Sequence, residues 1–420
     1  MNDIRIVDMH KPEQTPAMQG LIDQFSQSEY ALDEQTILKL AEEQLDVPLD
    51  IDDELISRFH LALKEARENG TVHAFGAFHL QQIIINAVVQ TSRLNYMHRR
   101  FPEMLDMGIK APLVVAGMPR TGTTYLLQLI SSDPSLLSLK RWEVHYPFPS
   151  PAVVEGKALD TRENDAVAIE SMEGELVPLL SSLYDVDAQA ATEEIEVMKY
   201  GGYSCALSFY GDTPAFDQAL YSNSQLDGYE YLYRFLQALQ YFKGATQSQK
   251  WLLKSPQHLG ALDAVNATFP DASLVFTHRD PASVFSSLLT LTGYTARMIY
   301  SSISKEQLLD RTRRMQHGFL RGLVKHADLF KGRCTHVYFQ DLMADYQGCV
   351  EQIYSAAELP YDSATQARVD AQAAVFTRGR RAGRVVYDLE GDFGLTRDEV
   401  REEFSYYLDK FPAAIEEKNQ

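Results

Sequence analysis

Residues 113–130, L-V-V-A-G-M-P-R-T-G-T-T-Y-L-L-Q-L-I, constrain the fold of this chain more than any other stretch. An apolar run from Leu113 to Ala116 ends at Gly117, and M-P-R-T leads to Gly122. Thr123 and Thr124 then open an apolar segment with helical spacing. This order predicts a buried strand, a tight glycine-flanked loop and a helix N-terminus. The first N–H groups of a helix lack intrahelical partners, and the helix dipole places partial positive charge beside them. A phosphate-like anion fits such a nest. Arg120 adds a full charge inside the loop, and the two glycines permit positive φ and close backbone approach.

The G-x-x-x-x-G spacing of Gly117 and Gly122 is that of a P-loop, but the P-loop continues G-K-[ST] and this chain continues G-T-T. The lysine that would reach the β- and γ-phosphates of ATP is missing. The bland alternative is a glycine turn that only lets a helix pack on a strand.

Composition narrows the class. The 420 residues suffice for a large core in one or two domains. A net charge of −19 argues against duplex DNA or RNA as partner, while a local arginine cluster can still hold a small anion. Cys205, Cys334 and Cys349 are odd in number and lack C-x-x-C spacing, which fits a reducing compartment without a disulfide or zinc framework. The first ten residues carry no apolar signal core, and no apolar run is long enough to span a membrane. The expectation is a soluble cytoplasmic protein with no membrane span and no metal site.

Read in order, residues 1–15 look extended, and helical periodicity covers 30–45, 52–69 and 76–100. Residues 1–105 are therefore expected to form a helical cap packed on an α/β domain, 106–420, that carries a helical insertion at 155–245. Tyrosine and phenylalanine crowd that insertion, mostly as core, with a few possible walls of an acceptor pocket. It holds two acidic clusters, Asp185/Asp187 and Glu193/Glu194/Glu196, and the glutamates read as an exposed helix face. Short apolar strands are expected at 251–253, 273–277 and 335–339, with helices between them and a long basic helix at 305–330. Alternating strands and helices with long crossovers imply a mostly parallel α/β sheet.

A second anion site is expected at H-R-D-P, residues 278–281. Arg279 falls at a strand's C-terminal end, where open α/β sheets bind ligands. Asp280 suits the N-cap and Pro281 the first helical position, while Ser283 and Ser287 share one helical face. A surface salt bridge of Arg279 is the plain alternative.

Together the two sites resemble the PAPS-dependent sulfotransferases, in their bacterial branch. G-M-P-R-T-G-T-T-Y-L is similar to that family's 5′-phosphosulfate loop, and H-R-D-P-A-S-V-F-S-S to its 3′-phosphate motif. W-L-L-K-S-P-Q-H-L, H-V-Y-F-Q-D-L and Y-D-L-E-G-D-F-G-L-T extend the resemblance over roughly residues 110–400. The resemblance implies a P-loop NTPase-like, mostly parallel sheet flanked by helices. It also implies the donor 3′-phosphoadenosine-5′-phosphosulfate (PAPS), with 3′,5′-ADP as product, and a small-molecule or carbohydrate acceptor sulfated on a hydroxyl or, less commonly, an amine. Carried onto this chain, Arg120, Thr121, Gly122, Thr123 and Thr124 would hold the 5′-phosphosulfate, and Arg279 and Ser287 the 3′-phosphate. Many members have lysine where Arg120 stands; arginine does not give up its proton, so Arg120 is assigned charge stabilisation. T-R-G-R-R-A-G-R, residues 377–384, is a loose counterpart of a donor-closing segment and nominates Arg378 and Arg380.

Sulfuryl transfer is an in-line displacement that needs positioning, charge stabilisation and a base for the acceptor's proton. Glu143, 23 positions after Arg120, is the first candidate base. His145 would share its face in an extended segment. His258 is the third candidate, Lys254 could touch sulfate oxygens, and the resemblance keeps Glu194 in play at the acceptor pocket. The alternative function is a P-loop kinase or nucleotide hydrolase.

Overall fold

The computed structural model describes residues 3–180, 187–246, 248–379 and 384–416. Its centre is a five-stranded, all-parallel sheet in the order β4-β5-β3-β6-β8. In chain order these strands are β3 (Leu113–Gly117), β4 (Leu136–Leu137), β5 (Lys250–Lys254), β6 (Ser273–His278) and β8 (Cys334–Tyr338). Two small pairs lie outside the main sheet. Strand β1 (Asp3–Ile4) runs parallel to β9 (Arg384–Val385), and β2 (Thr71–Val72) runs antiparallel to β7 (Tyr300–Ser302).

Why β3 reads as an unbroken apolar run is clear from its two faces. Side chains alternate across a strand, so a strand covered on both sides needs apolar residues throughout. Val114 and Ala116 join one buried cluster with Leu253, Leu274 and Phe276. Leu113 and Val115 join a second with Leu126, Leu252, Val275 and Val337. The first cluster continues into the N-terminal helices through Leu55, Phe59, Leu80, Ile84 and Val88.

The expected N-terminal helices form, with shifted ends: Glu34–Glu42, Leu55–Glu68 and the long Ala74–Arg100. An unforeseen helix, Pro16–Phe25, precedes them, capped by the Thr15 hydroxyl, which accepts from Met18 N at 3.1 Å. The long basic helix runs Lys305–His326, opened by a Ser304/Gln307 capping box.

The 139–151 segment departs from expectation. It contains a short helix, Arg141–His145, rather than an extended strand. Residues two apart diverge by about 200° around a helix. Glu143 and His145 therefore cannot share a face.

Candidate active site

The loop after β3 is shaped by its glycines. A Cβ at Gly117 would sit 1.7 Å from Thr277 Oγ1, so only glycine lets the backbone pass β6 there. Gly122 adopts φ +89° and caps the helix Thr123–Ile130. Arg120 also lies in the left-handed region at φ +72°, an uncommon conformation for a residue with a side chain. Its carbonyl accepts a hydrogen bond from Arg279 Nη1 at 2.7 Å. Below the loop, Thr121 Oγ1 donates to Met118 O at 2.6 Å and meets Thr277 Oγ1 at 2.6 Å.

The first backbone bond inside the next helix is Leu126 N to Gly122 O at 3.0 Å. The N–H groups of Thr123 and Thr124 precede that bond and stand at the positive end of the dipole. Arg120, Gly122, Thr123 and Thr124 all line one cavity of 1780 Å³. Thr121 does not line it; its hydroxyl braces the loop from behind.

Arg279 and Ser287 line the same cavity. Their pairing differs from the sequence expectation. Ser287 Oγ accepts from Arg120 Nε at 2.9 Å, and Tyr387 Oη accepts from Arg120 Nη2 at 3.2 Å. Arg279 instead stacks on Phe339, 3.8 Å from the ring centroid, and its Nε donates to Glu416 Oε1 at 2.7 Å. Ser283 Oγ donates to Glu416 Oε2 at 2.5 Å and accepts from Arg397 Nη2 at 2.8 Å. A carboxylate of the chain thus rests on the guanidinium that the motif assigns to a phosphate.

Asp280 organises this corner as the N-cap of the helix Pro281–Thr295, accepting from Ala282 N at 2.9 Å. Burial opposes its charge. Hydrogen bonds from Arg401 and Ala282 and the nearby Arg397 charge outweigh burial and hold its carboxyl below the ordinary range. The motifs do not single out Arg397, Arg401 or Glu416, because no local spacing ties them to Arg279, and Tyr387 enters only as the first residue of Y-D-L-E-G-D-F-G-L-T.

The base candidates separate sharply. Glu143 is buried, and Oε2 accepts from Lys140 N at 2.7 Å while Oε1 pairs with Lys243. It closes a capping box and does not line the cavity. His258 is fully buried behind β5, its Nδ1 2.7 Å from Tyr229 Oη and its Nε2 3.5 Å from Glu194. It is a core histidine, away from the cavity wall. Lys254 is buried at the tip of β5 and paired with Glu193, so it stands behind the wall as well. Of the three candidates for proton acceptor, His145 alone lines the cavity. Burial, then the Arg141 and Lys199 charges, push its pKa down to about 4. Arg380 and the Arg378 side chain lie outside the described residues.

The glutamates expected on an exposed helix face are not exposed. Glu194 is fully buried, and both its oxygens accept from Lys254 N, at 3.0 and 2.8 Å. Glu193 and Glu196 line the cavity. Glu196 accepts from Lys199 Nζ at 2.9 Å, and Lys199 also donates to Tyr210 Oη at 3.1 Å. The rest of this end is largely apolar or aromatic. Phe75, His79 and Ile83 come from the helix Ala74–Arg100, Leu176 and Leu180 from around 176–180, and Leu291 and Met298 from the far side.

Residues 112–363, well over half of the chain, match the family profile described as the Sulfotransferase family. The chain belongs to the sulfotransferase family. Among solved structures, sulfotransferase STF9 from Mycobacterium avium superposes at TM-score 0.74 and 25% identity, covering 94% of this chain and all of that one (100%). Sulfotransferase STF1 from Mycobacterium tuberculosis H37Rv gives TM-score 0.74 at 23% identity, over 90% of this chain and 99% of that one. No curated protein sequence matches the chain. The parallel sheet is that of these sulfotransferase folds, and the matches do not favour a nucleotide kinase or hydrolase. Among the described residues, no helix is long and apolar enough to cross a membrane.

Proposed function

We propose that this sulfotransferase moves the sulfuryl group of PAPS onto a hydroxyl of a largely apolar small molecule. One observation carries this reading: two arginines, Arg120 and Arg279, open into the same cavity as the N-terminus of the Thr123–Ile130 helix. The residues present suit such a donor. Glycine at 117 and 122 lets the loop pass close to Thr277, Leu342 and Phe339, and Ser287 accepts from the Arg120 guanidinium.

When bound, PAPS supplies an activated sulfuryl group on a phosphate leaving group. The chain's own residues then position and neutralise. Arg120 and the N–H groups of Thr123 and Thr124 face the 5′ end, where fixed donors stabilise developing charge without reorganising. Gly122, at φ +89°, turns the chain into the helix that carries these N–H groups. Arg279, Ser287 and Ser283 form the 3′-phosphate side, with Glu416 displaced. Arg378 and Arg380 are assigned to closing the donor over this side.

Phe75, Ile83, Leu176, Phe209 and Met298 wall the acceptor end and exclude water from it. A cavity of 1780 Å³ exceeds the roughly 300–1,000 Å³ common for one small ligand, leaving room for a donor and a sizeable acceptor. On this reading residues 1–105 form a helical layer that closes the acceptor end of the 106–420 catalytic unit, and 155–245 is an insertion supplying the opposite wall. The free cysteines Cys205, Cys334 and Cys349 fit a cytoplasmic setting.

Transfer of labelled sulfate from PAPS to a panel of apolar and carbohydrate alcohols, with calorimetry of 3′,5′-ADP, tests the proposal. We expect 3′,5′-ADP to bind and hydrophobic alcohols to be labelled first. No binding of 3′,5′-ADP overturns the donor assignment, and labelling of sugars alone overturns the acceptor assignment.

A further inference from the structure

One face of the helix Ala74–Arg100 is at odds with the rest of it. Leu80, Ile84, Ala87 and Val88 pack into the main core cluster. Phe75, His79, Gln82, Ile83 and Asn86 line the cavity instead. Their spacing, i, i+4, i+7, i+8 and i+11, is that of a single helical face. A wall that serves only an apolar ligand needs apolar side chains there, as at Phe75 and Ile83. The other three are polar, and Asn86 is exposed in a stretch of helix that is otherwise buried or half-buried.

These groups have bonding capacity to spare. The His79 ring touches the rings of Phe75 and Tyr210, at 6.3 and 5.6 Å between centroids, and no group among the described residues hydrogen-bonds it. Burial, then Lys199 and His73, push its pKa down to about 4. At neutral pH the imidazole is therefore uncharged, with one N–H donor and one acceptor, a combination that a hydroxyl matches. Lys199 is close by, and its ammonium has three donors, of which Glu196 and Tyr210 take two.

The full charges at this end are already balanced. Burial opposes the Glu196 charge, yet Lys199 holds its carboxyl below the ordinary range, so this pair stays ionised. Arg141 and Glu173 form a second pair at 3.0 Å. A carboxylate or an ammonium brought here by a ligand would lack a counter-charge, which is costly away from water. An uncharged hydroxyl or carbonyl meets donors and acceptors without that cost.

We propose that His79, Gln82 and Asn86, with Lys199, form a subsite for an uncharged oxygen function. The preferred acceptor is then an apolar molecule that carries a second hydroxyl, or a carbonyl, besides the hydroxyl that is sulfated. The inference rests on the sulfotransferase reading above and narrows its acceptor class. It also gives the N-terminal helix a task of its own. Arg120 and Arg279, assigned to the donor, lie inside the 112–363 stretch that matches the family profile, whereas the polar stripe of Ala74–Arg100 lies before it.

The test uses the full chain, PAPS and matched alcohols. Linear α,ω-diols of graded length and rigid sterol diols are each compared with the mono-alcohol, hydroxy acid and amino alcohol of the same skeleton. A polar site discriminates against the analogue that leaves it unpaired, so the best diol should exceed its mono-alcohol by about tenfold or more in kcat/KM. Hydroxy acids and amino alcohols should be poorer than both. His79→Phe should bring the diol preference close to one, the change falling on the KM of the diol rather than on kcat. His79→Gln, which keeps a donor and an acceptor, should restore part of it, and Asn86→Leu should lower it by about threefold. Calorimetry of 3′,5′-ADP should match the parent in each variant. Mono-alcohols equal to or better than their diols, or no labelled member in a chain that binds 3′,5′-ADP, overturn the subsite and leave the donor reading intact. So does a preference that survives both His79→Phe and Asn86→Leu. A hydroxy acid as best substrate overturns the assignment to an uncharged group. A parent chain that binds no 3′,5′-ADP sinks the donor reading and this inference with it.

Discussion

Around Arg120, the cationic and most hydroxyl groups of the cavity wall come from two short stretches of chain, 119–125 and 279–287, each at a strand end running into a helix start, with Phe339, Phe376 and Tyr387 completing the wall. Around Lys199, it comes from scattered positions on the helix Ala74–Arg100, on 141–145, on 169–180, on 193–210 and on 291–299. The first end is cationic and hydroxyl-rich; the second is apolar, with a few paired charges buried in it. An anion nest needs consecutive N–H groups and glycines at fixed offsets, so its chemistry is written locally. An apolar pocket needs only surfaces of suitable shape, which any distant helix can supply. The difference yields experiments in which the two ends should respond separately.

The largest effect should come from Arg120→Ala. It removes the charge beside the helix N-terminus and the hydrogen bonds to Ser287 and Tyr387. Loss of one such donor typically lowers kcat about 10²–10³-fold. Steady-state kinetics should show that fall with little change in KM for the alcohol. A comparable rise in that KM would mean that Arg120 serves the acceptor end too, and the division would fail.

Arg279→Ala should act next, and only on the donor. Loss of hydrogen bonds to a charged group amounts to roughly 1.5–3 kcal/mol, about 10–150-fold in affinity. Calorimetry should show 3′,5′-ADP weakened on that scale and AMP almost unchanged, since Arg279 is assigned to the 3′-phosphate alone. Equal losses for both ligands would remove that assignment.

Phe209→Ala probes the other end. Phe209 is half-buried and lines the cavity near Tyr210. Complete burial of such a ring contributes about 1.5–3 kcal/mol, and partial burial less. The KM for an apolar alcohol should rise about tenfold, with 3′,5′-ADP binding unchanged. A parallel loss of 3′,5′-ADP affinity would show that the two ends are one site.

This contrast also explains what could be read from the residues alone. The β3 loop and the H-R-D-P corner fold as their spacing demands, down to Asp280 as N-cap and Pro281 at the first helical turn. The base did not yield to the same reading. The spacing places Glu143 on an extended segment, whereas the helix Arg141–His145 turns it inward to a capping box and Lys243. Likewise, the 193–196 glutamates look like a solvated face until β5 and the Arg141–Lys199 charges close over them. The Lys254–Glu194 contact joins residues 60 positions apart, so periodicity carries no trace of it, whereas the Glu196–Lys199 pair is local, three apart.

Glu416 is the clearest case of long-range placement, and the smallest effect is expected there. It lies 137 positions from Arg279, yet its carboxylate bonds Arg279 and Ser283 where the 3′-phosphate is assigned. Both partners of the ion pair keep about a fifth of their side chains exposed, 22% and 20%, so its worth is about 1 kcal/mol or less. A phosphate must displace it to reach Arg279. Glu416→Gln keeps the side-chain shape but removes the charge, and should tighten 3′,5′-ADP by up to about fivefold, with AMP and the alcohol unaffected. The sign matters more than the size. Tighter binding of the 3′-phosphorylated nucleotide alone means the carboxylate competes for that cation, whereas weaker binding means that Glu416 instead helps to build the site, and the donor end then depends on distant chain segments as heavily as the acceptor end does.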